Sequence, residues 1–215
     1  MFYPTAQMIK DVKVAIDQNR SSESLLGEGD IDTLSFDEVI SEKLVDAVRL
    51  VEMEAPVLLL ESGHAFVKAG DKNVFIDSVS GKGYVILPDD FMRLISFRMS
   101  DWERTVYESI SESDASYKLQ SSKWKGVCGS PEKPVVAIVR RAEGKVLEFY
   151  SCKDGGATVI QATYQPYPKI ANGGIDIAED CYRASVYRAA SLALASIGDQ
   201  LSGTMLEISR GCIGG

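Results

Sequence analysis

Residues 87–102, LPDDFMRLISFRMSDW, open like a helix and continue like a strand, and the resolution of that conflict decides the fold. Pro88 disfavours helical geometry at Leu87, and the adjacent Asp89 and Asp90 suit a turn. Beyond them Ile95, Phe97 and Met99 alternate with Leu94, Ser96, Arg98 and Ser100, the period of a strand with one apolar and one wet face. Asp89, Asp90, Asp101 and Glu103 are residue types found in acid/base pairs and Mg²⁺ sites. Surface turns carry the same residues routinely, so the stretch reads as scaffolding.

The period of two extends on both sides. Short strands are expected at 64–68, 73–77, 83–86, 92–99, 134–140, 145–151 and 157–164, separated by the turn-forming runs AGDKN, SVSGKG, RAEGK and CKDGG. They read as an antiparallel sheet packed on one side. The intervening SESDASYKLQSSKWKGVCGSPEKP is expected to hold a short helix from Asp114 to Gln120, then a long loop that makes a candidate contact surface.

The ends of the chain carry helical period instead. Thr5 reads as the N-cap of a first helix with Met8, Ile9, Val12, Ala15 and Ile16 on its apolar stripe. Residues 19–34 read as an exposed loop. Ser35 and Glu38 form a capping box before Phe36, Val39, Ile40, Leu44, Ala47, Val48, Val51 and Ala55, a stripe that stops at Pro56. PVLLLESG then reads as one more helical turn, closed by Gly63.

A last helix is expected from Asp176, with Glu179 as its second capping pair, to about Gly198. It is rich in small residues and should pack closely on the first two. The DQLSGTMLEISR run continues it by a turn or two, and GCIGG reads as a flexible tail.

The predicted fold class is therefore α+β: a helical bundle of two N-terminal helices plus a long C-terminal helix, with an inserted, mainly antiparallel β-domain. Residues 1–63 and 171–215 form one domain around the β-rich part, 64–170.

At 215 residues, 45% hydrophobic and 25% charged, the composition is that of an ordinary globular chain. No apolar run reaches the roughly 18 residues of a spanning helix, and the start lacks a leader pattern, so a cytosolic site of synthesis and no membrane partner are expected. The net charge of −8 is unevenly placed: residues 1–62 hold 13 acidic against 5 basic side chains, and the remainder holds 18 of each. Within residues 118–153, Lys118, Lys123, Lys125, Lys133, Arg140, Arg141, Lys145 and Lys153 outnumber Glu132, Glu143 and Glu148, a local +5. Such asymmetry either marks two solvated faces or steers copies onto one another.

Chemical motifs are tested and set aside. Gly81-Lys82 lacks the upstream glycine, the following Ser/Thr and the strand-to-helix context of a phosphate loop, and reads as a hairpin turn. NGGID is a turn into a helix rather than an anion site. The four cysteines, Cys128, Cys152, Cys181 and Cys212, are scattered and His64 is the single histidine, so no zinc cluster is expected. Nucleic-acid binding would need the 118–153 region, with Tyr117, Trp124 and Tyr150 for stacking. No catalytic, metal or cofactor set is expected.

LPDDFMRLISFRMSDWERTV, SYKLQSSKWKGVCGSPEKPVVAIV and VLEFYSC, in that order between N- and C-terminal helices, resemble the head-to-tail connector proteins of tailed bacteriophages, especially the adaptor or ring proteins of crAss-like phages of Bacteroides. The resemblance spans most of residues 5–200. It implies a closed ring of about a dozen copies beneath the portal protein, in the virion neck, touching tail or further ring proteins and passing DNA through its lumen without sequence-specific binding. The family brings no catalytic residues. In some adaptors a C-terminal tail docks on the portal, which the resemblance maps to the residues after Leu206, with Glu207, Arg210 and Ile213.

A ring contact joins two different surfaces of each subunit. The expected pair is the acidic face with Asp37, Glu42 and Asp46 and the basic one with Lys118, Lys123, Trp124, Lys125, Arg140 and Arg141. Alternatively the acidic helices line the lumen. The rival from another class is a sheet-based module that binds a peptide or glycan through loop 121–134 and Trp124, and a hydrolase using Asp89, Asp90 or His64 stands third.

Overall fold

The computed structural model describes residues 1–18, 35–60, 63–67, 74–77, 79–122, 124, 126–153 and 155–214. In chain order its elements are β1 (Phe2–Pro4), α1 (Thr5–Gln18), α2 (Phe36–Glu54), β2 (His64–Ala65), β3 (Val74–Ile76), β4 (Gly83–Ile86), β5 (Phe91–Met99) and β6 (Ile110–Ser111). There follow α3 (Ala115–Leu119), β7 (Val136–Arg141), β8 (Gly144–Phe149), β9 (Val159–Pro166), β10 (Ile170–Ala171), β11 (Gly174–Asp176), α4 (Glu179–Ser196) and α5 (Leu201–Ile213). The fold is mixed α+β. Contacts group the chain into two units, Met1–Glu61 with Pro168–Gly215, and Ser62–Tyr167. The loop expected at 19–34 lies outside the described residues.

In the first unit, α2 starts as its sequence dictates. The Ser35 hydroxyl accepts from the Glu38 N–H, and the Glu38 carboxylate accepts from the Ser35 N–H at 2.7 Å, so two of the orphan donors of the first turn are satisfied reciprocally. These bonds hold the Glu38 carboxyl below its usual range. Ile40, Leu44, Ala47, Val48 and Val51 are fully buried. PVLLLESG makes only a short 3₁₀ turn, Val57–Leu59, with Pro56 just before it.

The small residues of α4 do what close packing needs. Ala184, Ala189, Ala190 and Ala193 are fully buried, and α4 packs on α1, α2 and α5. Buried Arg188 fixes this arrangement: it pairs with Glu54 of α2, and its Nε donates to Ser209 Oγ of α5 at 3.4 Å. Ser209 in turn donates to the Ala184 carbonyl at 2.8 Å. Tyr3 stacks on Tyr182 at 3.9 Å, and the Tyr182 hydroxyl donates to Asp11 at 2.6 Å.

Three expectations about helix ends need correction. Thr5 is already helical, and its hydroxyl donates to the Gly173 carbonyl rather than capping the helix. Asp176 belongs to β11, paired with Phe2, so the cap of α4 falls at Ala178 and its N–H goes to the buried Glu52 carboxylate of α2. Residues 211–213, expected in a flexible tail, are helical. They belong to α5, whose Met205, Ser209 and Ile213 are buried, because a turn at Gly198 (φ +73°) sends the apolar residues of 201–213 back onto α4.

The NGG run is a tight hairpin turn, with Asn172 at φ +51° and Gly173 at φ +76° joining β10 to β11.

Among the described residues the second unit holds not one sheet but two, of orders β3-β4-β8-β7-β6 and β2-β9-β5. All pairings are antiparallel except β6 with β7. Both sheets feed one aromatic core, in which Phe97 lies between Phe66, Trp102 and Phe149 at centroid distances of 5.6–6.1 Å.

β5 is the strand expected at residues 92–99, but it has no wet face. Its pairing with β9 shifts register between Phe91 and Arg93, between Leu94 and Ser96, and between Arg98 and Met99. Each irregularity breaks the alternation, so Leu94 shares a core with Phe97 and Met99, and Ser96 is buried too, bonded to Thr163 Oγ1 at 2.5 Å.

Two acids of this stretch hold hydrogen bonds within the sheet unit. Asp90 accepts from the Tyr164 hydroxyl at 2.8 Å, and Asp101 accepts from the Lys153 N–H at 2.5 Å. Arg98 donates to the Trp102 carbonyl. No helix among the described residues is long and apolar enough to cross a membrane.

Candidate functional site

One face of the five-stranded sheet enters the core; the other carries polar chemistry. Cross-strand register places Phe75, Tyr84, Glu148 and Ala137 in one row, with Tyr150, Val146, Val139 and Arg141 on the same face. Ala137, Val139 and Val146 form a small buried apolar strip beside Tyr84, Tyr117 and Tyr150.

Glu148, only 7% exposed, is the centre of this face. Its carboxylate accepts from Arg141 Nε at 2.8 Å and from Arg141 Nη2, from the Tyr150 hydroxyl, and from the Tyr117 hydroxyl at 3.3 Å. A buried carboxylate is tolerable only when paired and hydrogen-bonded, and this one has both. Arg141 lies opposite Gly144 in the ladder, while Glu148 lies opposite Ala137. The long side chain therefore reaches back along the face, and its guanidinium sits 4.3 Å from the Tyr84 ring centroid. Tyr84 stacks in turn on Phe75 at 4.7 Å.

Burial, then the bond to Glu148, pushes the Tyr150 hydroxyl well above its usual ionisation range. Burial and the Glu148 charge push Tyr117 up as well.

The row of side chains borders a groove of about 660 Å³ whose polar lining includes Asp77, Lys82, Arg141 and Glu148. Asp77 accepts from Ser80 Oγ and the Val79 N–H, which holds its carboxyl low, and Lys82 Nζ donates to the Gln120 carbonyl at 2.8 Å. The hairpin at its rim depends on Gly81, at φ +65°, where a Cβ would fall 2.1 Å from the Cys152 carbonyl oxygen.

Of the described basic residues singled out for the 118–153 region, only Arg141 bonds to Glu148. Lys118 is exposed on α3 and Arg140 is exposed at the end of β7; Lys123 and Lys125 lie outside the described residues. Trp124 is 78% exposed. Tyr117 and Tyr150 turn their hydroxyls onto Glu148 and are half-buried.

On α2, Asp37 pairs with Lys13 at 3.0 Å, and Glu42 and Asp46 are exposed. Glu207 and Arg210 are exposed on α5, while Ile213 is 5% exposed and part of the helical core. His64 is exposed in β2 with an edge contact to Tyr164, and Asp89 is exposed. Cys152 and Cys181 are buried and form no disulfide. No group of three or more His, Cys, Asp or Glu among the described residues is placed to hold a metal ion.

Glu148 was legible only as a counter-charge. The signal for its role is period: in KVLEFY it occupies the same face as Val146 and Tyr150, an acid at a covered position of a strand. No protein-family model matches the chain, and no curated protein matches it.

Proposed function

We propose that this chain is a non-enzymatic structural protein of a phage particle, a ring-forming adaptor that docks beneath the portal and continues the DNA channel toward the tail. In this reading the first and last segments make a helical bundle, the sheet unit is an insertion in it, and about a dozen copies close the ring in the virion neck. The resemblance of residues 87–106, 116–139 and 146–152 to phage connectors motivates it.

The observation that carries it is the division of charge between the units. Met1–Glu61 with Pro168–Gly215 holds 18 acidic and 9 basic side chains, a net −9, whereas Ser62–Tyr167 holds 13 and 14, a net +1. Exposed Asp37, Glu42 and Asp46 lie in the first unit, and exposed Lys118 and Arg140 in the second. A heterologous contact between copies needs two such unlike surfaces, and complementary charge sets its register and speed. Such a contact weakens as salt rises.

The test is the mass of the purified chain at low and high salt, with negative-stain imaging in the presence of its portal. Annular particles that fall apart in salt are expected. Lys118→Glu with Arg140→Glu should block assembly, and Asp37→Lys with Glu42→Lys should restore it when the two variants are mixed. A chain that stays monomeric in every condition and adds nothing to the portal overturns the reading.

A further inference from the structure

We propose that the groove on the outer face of the five-stranded sheet binds a neutral oligosaccharide. The site lies within the sheet unit and is independent of ring assembly.

Four properties of the groove converge on that ligand. Its volume, about 660 Å³, is of the size that holds small ligands. It offers an aromatic platform, since Phe75 stacks on Tyr84 and is still 42% exposed. An aromatic ring attracts the partly positive C–H groups that line one face of a sugar, by the same quadrupole that favours edge-to-face ring pairs.

Its polar groups present both donors and acceptors. Arg141 engages Glu148 through Nε and Nη2, so Nη1 retains donors for a ligand, and the Lys82 ammonium has donors beyond the one given to Gln120. Asp77 supplies acceptor oxygens, whereas those of Glu148 are taken by Arg141, Tyr150 and Tyr117. Hydroxyl groups, which donate and accept at once, match such a mixed wall.

The fourth property is charge. Two cations, Lys82 and Arg141, face two carboxylates, Asp77 and Glu148, so the lining is formally neutral. An anionic polymer gains no net attraction there, and a neutral one suffers no repulsion. A second groove, of about 480 Å³, shares Ser80, Lys82 and Tyr150 with the first and runs on to Cys128 and Lys153. The two adjoin at those shared residues, and the neutral first groove is the one that takes the ligand.

The experiment titrates the full chain with cellohexaose, mannohexaose, xylohexaose and chitohexaose by calorimetry, and maps backbone amide shifts. Hexagalacturonate and a capped hexaglutamate peptide serve as anionic counterparts. At least one neutral hexasaccharide should bind, with shifts at Phe75, Lys82, Tyr84 and Tyr150. Phe75→Ala should weaken it about tenfold, the value of one stacking contact, at an unchanged unfolding midpoint, while Phe75→Trp retains it. Should Phe75→Ala prove unstable, Asp77→Asn gives a second variant that loses an acceptor charge and should weaken binding without touching the stack. No binding by any of the four, binding by the anionic ligands alone, shifts confined to other surfaces, or affinity indifferent to both Phe75→Ala and Asp77→Asn overturns the proposal.

Discussion

Replacing Arg141 by Met tests the account of the sheet's polar face most directly. Methionine keeps an unbranched stem over Val139 and Val146 and removes the guanidinium. Glu148, 7% exposed, then loses its cation and two of its hydrogen bonds. Breaking a fully buried ion pair from one side costs about 3–5 kcal/mol. The Arg141 side chain is 40% exposed, and Tyr117 and Tyr150 still donate to the carboxylate, so water and the tyrosines offset roughly half of that. Loss of the contact with Tyr84 adds about 0.5–1 kcal/mol. The expected destabilisation is about 2–3 kcal/mol.

The assay is urea unfolding followed by tryptophan fluorescence. Both tryptophans, Trp102 and Trp124, belong to the sheet unit, so the signal reports on that unit alone. The midpoint should fall with the slope unchanged. Adding Glu148→Leu removes the stranded charge and should return most of the loss, because an apolar side chain replaces a buried ion without desolvation cost. The reasoning is refuted if Arg141→Met leaves the midpoint in place, or if the double variant is as unstable as the sum of the two single ones.

Gly81→Ala should destabilise the sheet unit by about 3 kcal/mol, since it combines left-handed strain with a clash against backbone; Gly198→Ala, which has the same strain and open space around it, should cost about 1–2 kcal/mol by thermal unfolding. Ile213→Ala should cost about 2–4 kcal/mol in chemical unfolding followed by far-UV circular dichroism, whereas a substitution in a loose tail would be silent. Burial, then the bond to Asp90, pushes the Tyr164 hydroxyl up to about 12 from 10.0. The folded state thus favours the neutral phenol: that stabilisation is complete below pH 10 and is lost as pH rises toward 12. Tyr164→Phe should therefore flatten the alkaline limb of the stability–pH curve while lowering the plateau beneath it.

Much of the local structure is written in short-range pattern. The Ser35–Glu38 box, the α2 stripe ending at Pro56, the SVSGKG hairpin and the strand runs near 83–86 and 145–151 were legible because each depends on residues within a few positions. The site was legible only in part. Arg141 was visible as a charge, but that it reaches back to Glu148 and covers Tyr84 depends on strand register, which period alone does not give.

What the sequence by itself determined is the mixed class, the segments that are helix or strand, and the turn positions, all consequences of backbone sterics and side-chain period. Tertiary structure decided the rest. Bulges between β5 and β9 turned an expected wet face inward, and packing on α4 drew Ile213 of an expected tail into a helix with its side chain buried. Asp176, expected to cap α4, went into β11, and the N–H of Ala178 went to a distant carboxylate, Glu52. In each case the partner comes from far along the chain, and its contact outweighs the local preference because burial and paired hydrogen bonds are worth more than the few tenths of a kcal/mol of propensity they override.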